Sequence, residues 1–244
     1  MKKIAVIPAR YAATRFPGKL MQLLGDKTVI RHTYENTGAT GLFDEVWVAT
    51  DSEIIFKEIK EHGGNVVMSR RIHESGSDRI AEAIENIDAD IIVNVQGDEP
   101  FVQKKALEKL LDVFKEPTSM PVQVASLMQV IHEEENIQDP NYVKVAIDNR
   151  SNALFFSRSM IPYPRSGEMR IDYYEHIGVY AFTKEILLQF TQWAQTPLEM
   201  AEKIECLRYL ENGITMRMVL VDYMGIEIDT PEDLVKAEKY FLGK

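Results

Sequence analysis

Cysteine is almost absent from this chain of 244 residues, in which Cys206 is the only one. A single thiol can form neither an intramolecular disulfide nor a cluster of thiolate metal ligands. Proteins with so little cysteine are typical of reducing compartments. We therefore predict a cytoplasmic location.

Long apolar runs are also lacking. Near the amino terminus, Pro8 and Arg10 interrupt the apolar stretch well short of a signal-peptide core or a membrane span. The formal net charge is -10, whereas general nucleic-acid and membrane-surface binders need broad basic faces. We expect no export signal, no membrane association and no nucleic-acid partner.

Acidic residues are missing from the start of the chain, where the first acid is Asp26. The apolar run 4–7 leads directly into a loop whose basic side chains are therefore unopposed: Arg10, Arg15 and Lys19. This local charge predicts a strongly anionic ligand such as a phosphate group. The alternative is a solvated surface loop. A P-loop is excluded, because Gly18-Lys19 is followed by Leu20 rather than Ser or Thr.

Short β-branched runs alternate with amphipathic segments through the first half of the chain. This order predicts an α/β fold with a mostly parallel, Rossmann-like sheet covered by helices. The predicted strands are 3–9, 45–50, 65–69 and 90–96, and the predicted helices are 29–37, 52–62, 77–87 and 104–114.

The alternation of strands and helices ends after Pro121, where predicted strands follow one another with short polar connections. We interpret them as antiparallel additions to the sheet or as a hairpin-bearing insert, at 122–130, 143–147, 153–156 and 177–182. A long helix is predicted over 198–212, then a strand over 215–221 and a helix from Thr230. No linker is evident, so the prediction is one domain, 1–244, with a strand-rich insert at about 121–183.

Carboxylates follow two of the later apolar runs, at the strand ends where α/β sheets bind ligands. Asp98 lies in the Gln96–Pro100 segment, and Asp229 directly precedes the helix start at Thr230. If Thr230 caps the helix, the Asp229 carboxylate has another role, and the two aspartates could hold Mg²⁺. The alternatives are a simple turn at Asp98 and helix capping by Asp229.

Three more polar residues are ambiguous. Ser75 together with Asp78, or Ser77 itself, is expected to cap the helix that follows, although the N–H groups there could also contact a ligand. His176 stands out because Gly178 opens space beside it. Cys206 is expected to pack within a helix rather than react. The chain contains no G-x-S-x-G pattern, which argues against a Ser-His-Asp hydrolase.

Taken in order, seven segments resemble the sugar-activating nucleotidyltransferases, and within them the 3-deoxy-manno-octulosonate cytidylyltransferases. The segments span nearly the whole chain: IPARYAATRFPGK at 7–19, VATD at 48–51, HESGSDR at 73–79, VNVQGDEP at 93–100, FSRSMIP at 156–162, HIGVY at 176–180 and IDTPEDL at 228–234. The resemblance implies a homodimeric enzyme that joins CTP to the sugar acid in lipopolysaccharide biosynthesis.

The resemblance also implies residue roles. The residues implied to bind CTP are Arg10, Arg15, Lys19, Ser75, Gly76, Arg79 and Gln96. Those implied to line the sugar pocket are Gln96, Arg158, His176, Tyr180 and Glu205. Asp98 and Asp229 would hold catalytic Mg²⁺, and Arg158 would pair with the sugar carboxylate, which a planar guanidinium matches.

One position departs from the family pattern. Cys206 stands where relatives usually carry glutamine, and a thiol cannot replace both the donor and the acceptor of an amide. An amino-substituted octulosonate is therefore a second possible substrate. The sequence is also compatible with a nucleotidyltransferase for a sialic acid or a sugar phosphate, with a glycosyltransferase, and with a catalytically silent nucleotide sensor. The two retained aspartates argue against a sensor.

Overall fold

The computed structural model describes residues 1–12, 16–71, 73, 75–116, 121–165, 171–222 and 225–243. The chain divides into two compact units. Unit 1 comprises residues 1–105 and 224–244, and unit 2 comprises residues 106–223. The prediction of one domain with an insert at about 121–183 stays a prediction.

In the part of unit 1 that the structure describes, four parallel strands pair in the order β6-β1-β4-β5. A short antiparallel hairpin, β2 with β3, lies outside that sheet. The strands are β1 (Lys3–Ala9), β2 (Leu23–Leu24), β3 (Lys27–Thr28), β4 (Glu45–Thr50), β5 (Asn65–Met68) and β6 (Ile91–Asn94). Strands β1 and β6 are almost entirely buried, as expected for central strands covered on both faces.

Helices α1 (Val29–Ala39), α2 (Glu53–Glu61) and α3 (Gly76–Ile84) lie between successive strands of unit 1. Helix α4 (Lys104–Asp112) follows β6 and has most of its residues in unit 2, and α9 (Pro231–Phe241) lies near the end of the chain. Side chains of Thr28, Ser52, Ser75 and Thr230 cap α1, α2, α3 and α9. Helices α1, α2 and α3 all pack against β4, which places the core of unit 1 around β1 and β4.

The described residues of unit 2 form five strands, most of them antiparallel. Strand β7 pairs antiparallel with β10 and parallel with β11, while β8 pairs antiparallel with both β10 and β9. The strands are β7 (Val124–Val130), β8 (Lys144–Ile147), β9 (Ala153–Ser157), β10 (Tyr174–Thr183) and β11 (Met216–Leu220). The expected antiparallel strands in the second half are therefore confirmed.

The prediction of a long helix over 198–212 is wrong. Two short helices occupy this stretch, and they are separated at Lys203, whose φ of 55° is left-handed and cannot continue a helix. Cys206 accordingly precedes a helix rather than lying within one. Sequence reasoning also missed α5 and α6. The helices of unit 2 are α5 (Glu134–Gln138), α6 (Lys184–Phe190), α7 (Pro197–Glu202) and α8 (Leu207–Glu211).

The α/β architecture with a mostly parallel sheet is confirmed, and most predicted elements lie within a few residues of the observed ones. Differences fall at the ends, for example β10, which begins at Tyr174 rather than Ile177. Such shifts are expected because strand ends depend on their neighbours in the sheet. Across the described residues, every helix is too short or too polar to cross a lipid bilayer.

Candidate active site

The loop after β1 is shaped by a glycine. Gly18 has a φ of 69°, a left-handed conformation that glycine adopts without strain, and it begins a short 3₁₀ helix, Lys19–Met21. Its N–H donates to the carbonyl of Tyr11 at 3.1 Å. This bond holds Gly18 beside Tyr11, and Lys19 follows directly after the glycine.

A cleft of about 270 Å³ opens beside this loop. Its lining combines the end of β1, the start of α3 and the segment after β6: Pro8, Arg10, Ala12, Lys19, Leu20, Gly76, Gln96, Gly97 and Asp98. Arg10 is exposed, and its guanidinium donates to the carbonyl of His73 at 2.7 Å. Arg15 lies outside the described residues, so its role stays a prediction.

Lys19 lies between the two aspartates that the sequence singled out. Its ammonium forms ion pairs with Asp98 and, at 2.6 Å, with Asp229. The three side chains are only 14%, 13% and 25% exposed. Burial disfavours the charged lysine, but the two carboxylates outweigh burial and raise the pKa of Lys19 above its usual value.

Helix α9 explains why Asp229 is available for this contact. Thr230 caps the helix, with its side chain accepting from the N–H of Asp233 at 3.2 Å, and the Asp233 carboxylate completes a capping box. The N–H of Ile228 donates to the carbonyl of Asp98 at 3.0 Å, which joins the two acidic segments. The prediction that Asp229 is not needed as a cap is confirmed.

The residues around Lys19 fit a divalent cation. The Oδ1 atom of Asp98 is buried, and no hydrogen-bond donor among the described residues reaches it. Carboxylate oxygens of Asp98, Glu227 and Asp229 can lie within 4.8 Å of one another. The Lys19 ammonium lies between Asp98 and Asp229, so this position already holds one positive charge. Hard carboxylate oxygens arranged in this way suit Mg²⁺.

Glu99 differs from its acidic neighbours. Burial, followed by the negative charges of Asp98 and Glu227, raises its pKa well above the usual value. Its carboxyl therefore loses its proton less readily than that of an exposed glutamate, which makes it a poorer cation ligand.

The segment 73–79 contributes mainly through its backbone and its packing. The Ser75 hydroxyl caps α3 by accepting from the N–H of Asp78 at 3.1 Å. Gly76, the first residue of α3, lines the cleft, so the electropositive end of that helix lies beside Arg10. Arg79 is only 1% exposed and donates to Asp51 at 2.6 Å, which favours a role in positioning this segment.

Unit 2 brings His176 and Tyr180 together. The centroids of their rings lie 5.4 Å apart, and the ring of Phe156 packs edge-on against His176 at 4.9 Å. The Oγ atom of Ser126 lies 3.0 Å from Nε2 of His176. Burial lowers the pKa of His176 to about 4, so the imidazole is neutral near pH 7.

Cys206 lies beside Tyr180 in a fully buried position, and the two side chains hydrogen-bond. Burial is the main cause that raises the pKa of both groups well above their usual values, and the nearby Glu205 carboxylate adds to the effect. The thiol therefore stays protonated near pH 7. The expectation that Cys206 packs rather than reacts agrees with this environment.

Arg158 is held by backbone carbonyls. Its guanidinium donates to Glu202 at 2.8 Å, to Pro140 at 2.9 Å and to Lys203 at 3.5 Å. A guanidinium has five N–H donors, so these bonds leave others available to a ligand. Its pairing with a sugar carboxylate stays a prediction.

Two contacts were not foreseen from the sequence. Lys19 was assigned to a phosphate, whereas the structure pairs it with Asp98 and Asp229. The sequence analysis did not single out Glu227. Because alternate residues of an extended chain point to the same side, its spacing of two from Asp229 could have indicated that the two carboxylates lie close together. The Lys19 contact left no such signal, because it joins residues far apart in the chain.

The first comparison with known proteins defines the class. A profile of the family described as Cytidylyltransferase matches residues 4–219. The chain therefore belongs to the cytidylyltransferase family of nucleotidyltransferase enzymes.

Individual relatives narrow that class to 3-deoxy-manno-octulosonate cytidylyltransferases. One from Flavobacterium johnsoniae is 56% identical over 97% of each chain, and one from Bacteroides thetaiotaomicron is 43% identical over 100% of each. A solved structure of CMP:2-keto-3-deoxy-manno-octonic acid synthetase complexed with CTP matches with a TM-score of 0.93 and 37% identity, over 100% of this chain and 99% of the other.

A more distant neighbour shares the fold alone. The crystal structure of 4-diphosphocytidyl-2C-methyl-D-erythritol synthase from Anaerococcus prevotii has a TM-score of 0.64 at 16% identity, over 99% of each chain.

Proposed function

We propose that this chain transfers the cytidylyl group of CTP to 3-deoxy-manno-octulosonate, giving CMP-3-deoxy-manno-octulosonate and pyrophosphate for lipopolysaccharide biosynthesis. The anomeric oxygen of the sugar acid forms a bond to the α-phosphorus of CTP and loses its proton. The bond from that phosphorus to the bridging oxygen breaks, and pyrophosphate leaves. Family membership and the geometry of the cleft in unit 1 together support this reaction.

Within the structure, the assignment rests on one observation. Asp98 and Asp229, which are distant in sequence, both pair with the ammonium of Lys19 in the basic loop. Nucleotidyl transfer needs little covalent help from a protein and depends on positioning and charge neutralisation. Paired carboxylates for a metal, together with basic groups for a triphosphate, meet both needs.

The CTP side is assigned to the cleft. Arg10, Arg15 and Lys19 would bind the triphosphate, and the start of α3 at Gly76 would add backbone N–H groups and a favourable dipole. Ser75 and Arg79 would hold this segment in place through the cap and the Asp51 ion pair. The positive charges and N–H donors of the cleft would stabilise the departing pyrophosphate.

Asp98 and Asp229 would hold Mg²⁺, with Glu227 close enough to join them. When bound, Mg²⁺ would neutralise charge on the α-phosphate and lower the pKa of the attacking hydroxyl. The aspartates would keep this cation at one fixed place in the cleft, since their segments are joined by the hydrogen bond from Ile228.

The acceptor side is assigned to Arg158, His176, Tyr180 and Glu205 of unit 2. The neutral His176 ring and the Tyr180 hydroxyl suit the hydroxyl groups of a sugar, and Arg158 suits its carboxylate. The predicted homodimer and cytoplasmic location stay predictions.

A pyrophosphate-release assay tests the proposed function. The purified protein is mixed with Mg²⁺, each of CTP, UTP, ATP and GTP, and each of three acceptors: 3-deoxy-manno-octulosonate, its 8-amino analogue and a sialic acid. We expect release only with CTP, and fastest with 3-deoxy-manno-octulosonate. Faster release with the amino analogue would assign that sugar instead, and no release with any pair would contradict the proposal.

A further inference from the structure

We propose that the Lys19 ammonium and a divalent cation are alternative occupants of the Asp98–Asp229 site, so that metal binding expels Lys19 toward the nucleotide. This inference rests on the proposed function and adds to it a competition between a side chain and the metal. It makes Lys19 the counter-ion of the aspartates in the metal-free protein.

The first argument is the shared position. Lys19 contacts Oδ2 of Asp98 and Oδ1 of Asp229, so its ammonium bridges one oxygen of each carboxylate. Mg²⁺ binds carboxylate oxygens at roughly 2.0–2.1 Å. If a metal ion bound either of these oxygens while the ammonium kept both, the two positive charges would lie only a few ångströms apart. In a partly buried site, two positive charges at so short a distance repel each other strongly.

The second argument is the buried Oδ1 atom of Asp98. No described donor reaches this atom, so the lysine satisfies only one oxygen of that carboxylate. Glu227 brings a third carboxylate, with an oxygen within 4.8 Å of those of the two aspartates. A single ammonium leaves the buried oxygen of Asp98 unsatisfied, whereas a metal ion with several ligands can use it.

The third argument is that Lys19 has somewhere to go. Its side chain lines the same cleft as Arg10 and Gly76, where the triphosphate is proposed to bind. The flexible four-carbon stem of a lysine lets the ammonium exchange partners without moving the backbone. A nucleotide would therefore offer Lys19 new anionic partners when the metal takes its former ones.

The consequence is a coupling between nucleotide and metal. Without nucleotide, a metal ion must displace Lys19 from its ion pairs, so metal binding is weakened. With CTP present, Lys19 has the triphosphate as a partner, and the same metal ion binds more tightly. Thermodynamic linkage requires the reverse effect as well, so the metal also tightens CTP.

The direct test measures Mn²⁺ binding without nucleotide, by electron paramagnetic resonance of free Mn²⁺. We expect Lys19→Gln to tighten Mn²⁺ roughly tenfold, because the competing cation is gone. If Lys19 instead preorganises the carboxylates for metal, the substitution will weaken binding. Weaker or unchanged Mn²⁺ affinity would overturn the inference.

Lys27→Gln is the matched control. Lys27 is another lysine of unit 1, and it pairs with Glu35 rather than with the aspartates. It should leave Mn²⁺ affinity unchanged, which rules out a general effect of removing one positive charge. Circular dichroism and thermal melting of each variant check that it is folded.

A second measurement uses the unmodified protein, so it does not depend on the folding of any variant. Acetic anhydride modifies exposed, unpaired lysine amines, and mass spectrometry gives the extent at each position. We expect saturating Mg²⁺ without nucleotide to raise the labelling of Lys19 at least about threefold relative to Lys27. Equal or lower labelling of Lys19 would contradict its expulsion by the metal.

These tests are separable from the proposed reaction. If the unmodified protein releases pyrophosphate from CTP and 3-deoxy-manno-octulosonate but Lys19→Gln fails to tighten Mn²⁺, the competition is wrong and the function stands. If Lys19→Gln tightens Mn²⁺ but no sugar acid reacts, the competition stands and the proposed reaction is wrong.

Discussion

Asp98 presents a buried oxygen that finds no donor in the described part of the chain, and its other oxygen contacts Lys19. Asp98→Asn keeps the shape but removes the charge that would hold Mg²⁺. We expect the rate of pyrophosphate release at saturating Mg²⁺ to fall at least about a hundredfold, with the melting temperature little changed. Asp112→Asn, at an exposed position, is the control and should keep the full rate. A normal rate for Asp98→Asn would refute the metal assignment.

Arg158 uses three backbone carbonyls and retains further donors. If those donors bind the sugar carboxylate, Arg158→Ala should raise the KM for the sugar acid roughly tenfold or more and leave the KM for CTP within about twofold. Arg150→Ala, at an exposed position of the same unit, should change neither value. A larger effect on CTP than on the sugar acid would place Arg158 in the nucleotide site.

His176 makes stability depend on pH. Its folded-state pKa is about 4, below the ordinary value of 6.5, so the unfolded chain binds more protons between these two values. The stabilisation is therefore present above about pH 6.5 and is lost as the pH falls toward 4.

The expected loss between pH 7 and pH 5 is about 2 kcal/mol in the free energy of unfolding. Urea titrations of the unmodified protein and of His176→Gln give the free energy of unfolding at both pH values. The difference between pH 7 and pH 5 should be smaller by about this amount in His176→Gln. His132→Gln, at an exposed position, should retain it. An unchanged difference in His176→Gln would mean that the ring is not desolvated in the folded protein.

Lys203 is the feature that divides α7 from α8. Its left-handed φ of 55° strains any residue with a β-carbon, whereas glycine adopts it readily. We expect Lys203→Gly to exceed Lys203→Ala in free energy of unfolding by about 1 kcal/mol, measured by urea denaturation. Equal stabilities would indicate that the break between the helices does not depend on this conformation.

The same elements show where local patterns suffice. The caps at Ser75 and Thr230 depend on residues within one turn, and both were recognisable from the sequence. The segment 198–212 contains neither glycine nor proline, so nothing in its sequence indicates that the predicted helix breaks at Lys203. In the folded chain, the buried Glu199–Arg208 ion pair joins α7 to α8, and Arg158 bonds the turn between them. Each of these contacts joins a helix to a residue outside it, so a pattern of neighbouring residues does not predict them.

At the scale of the whole molecule, the chain consists of two compact units, while the sequence predicts one domain. The two tryptophans allow a test, because Trp47 lies in unit 1 and Trp193 in unit 2. Trp193→Phe and Trp47→Phe each leave one tryptophan as a fluorescent probe. If the chain unfolds as one cooperative domain, the two variants should show coincident normalised urea transitions with equal slopes. Transitions that differ in midpoint by more than the effect of the substitutions themselves would indicate two domains.

The sequence by itself determined the α/β class, most helices and strands, and the chemistry of the site. Alternating apolar runs, helix caps and an unopposed basic loop are local properties, set by residues a few positions apart. Tertiary structure alone decided that Lys19 bridges Asp98 and Asp229, that Arg79 is buried against Asp51, and that Glu227 joins the acidic group. The reason is that such contacts depend on which strand ends lie side by side, and the register of a sheet is established only when the whole core packs.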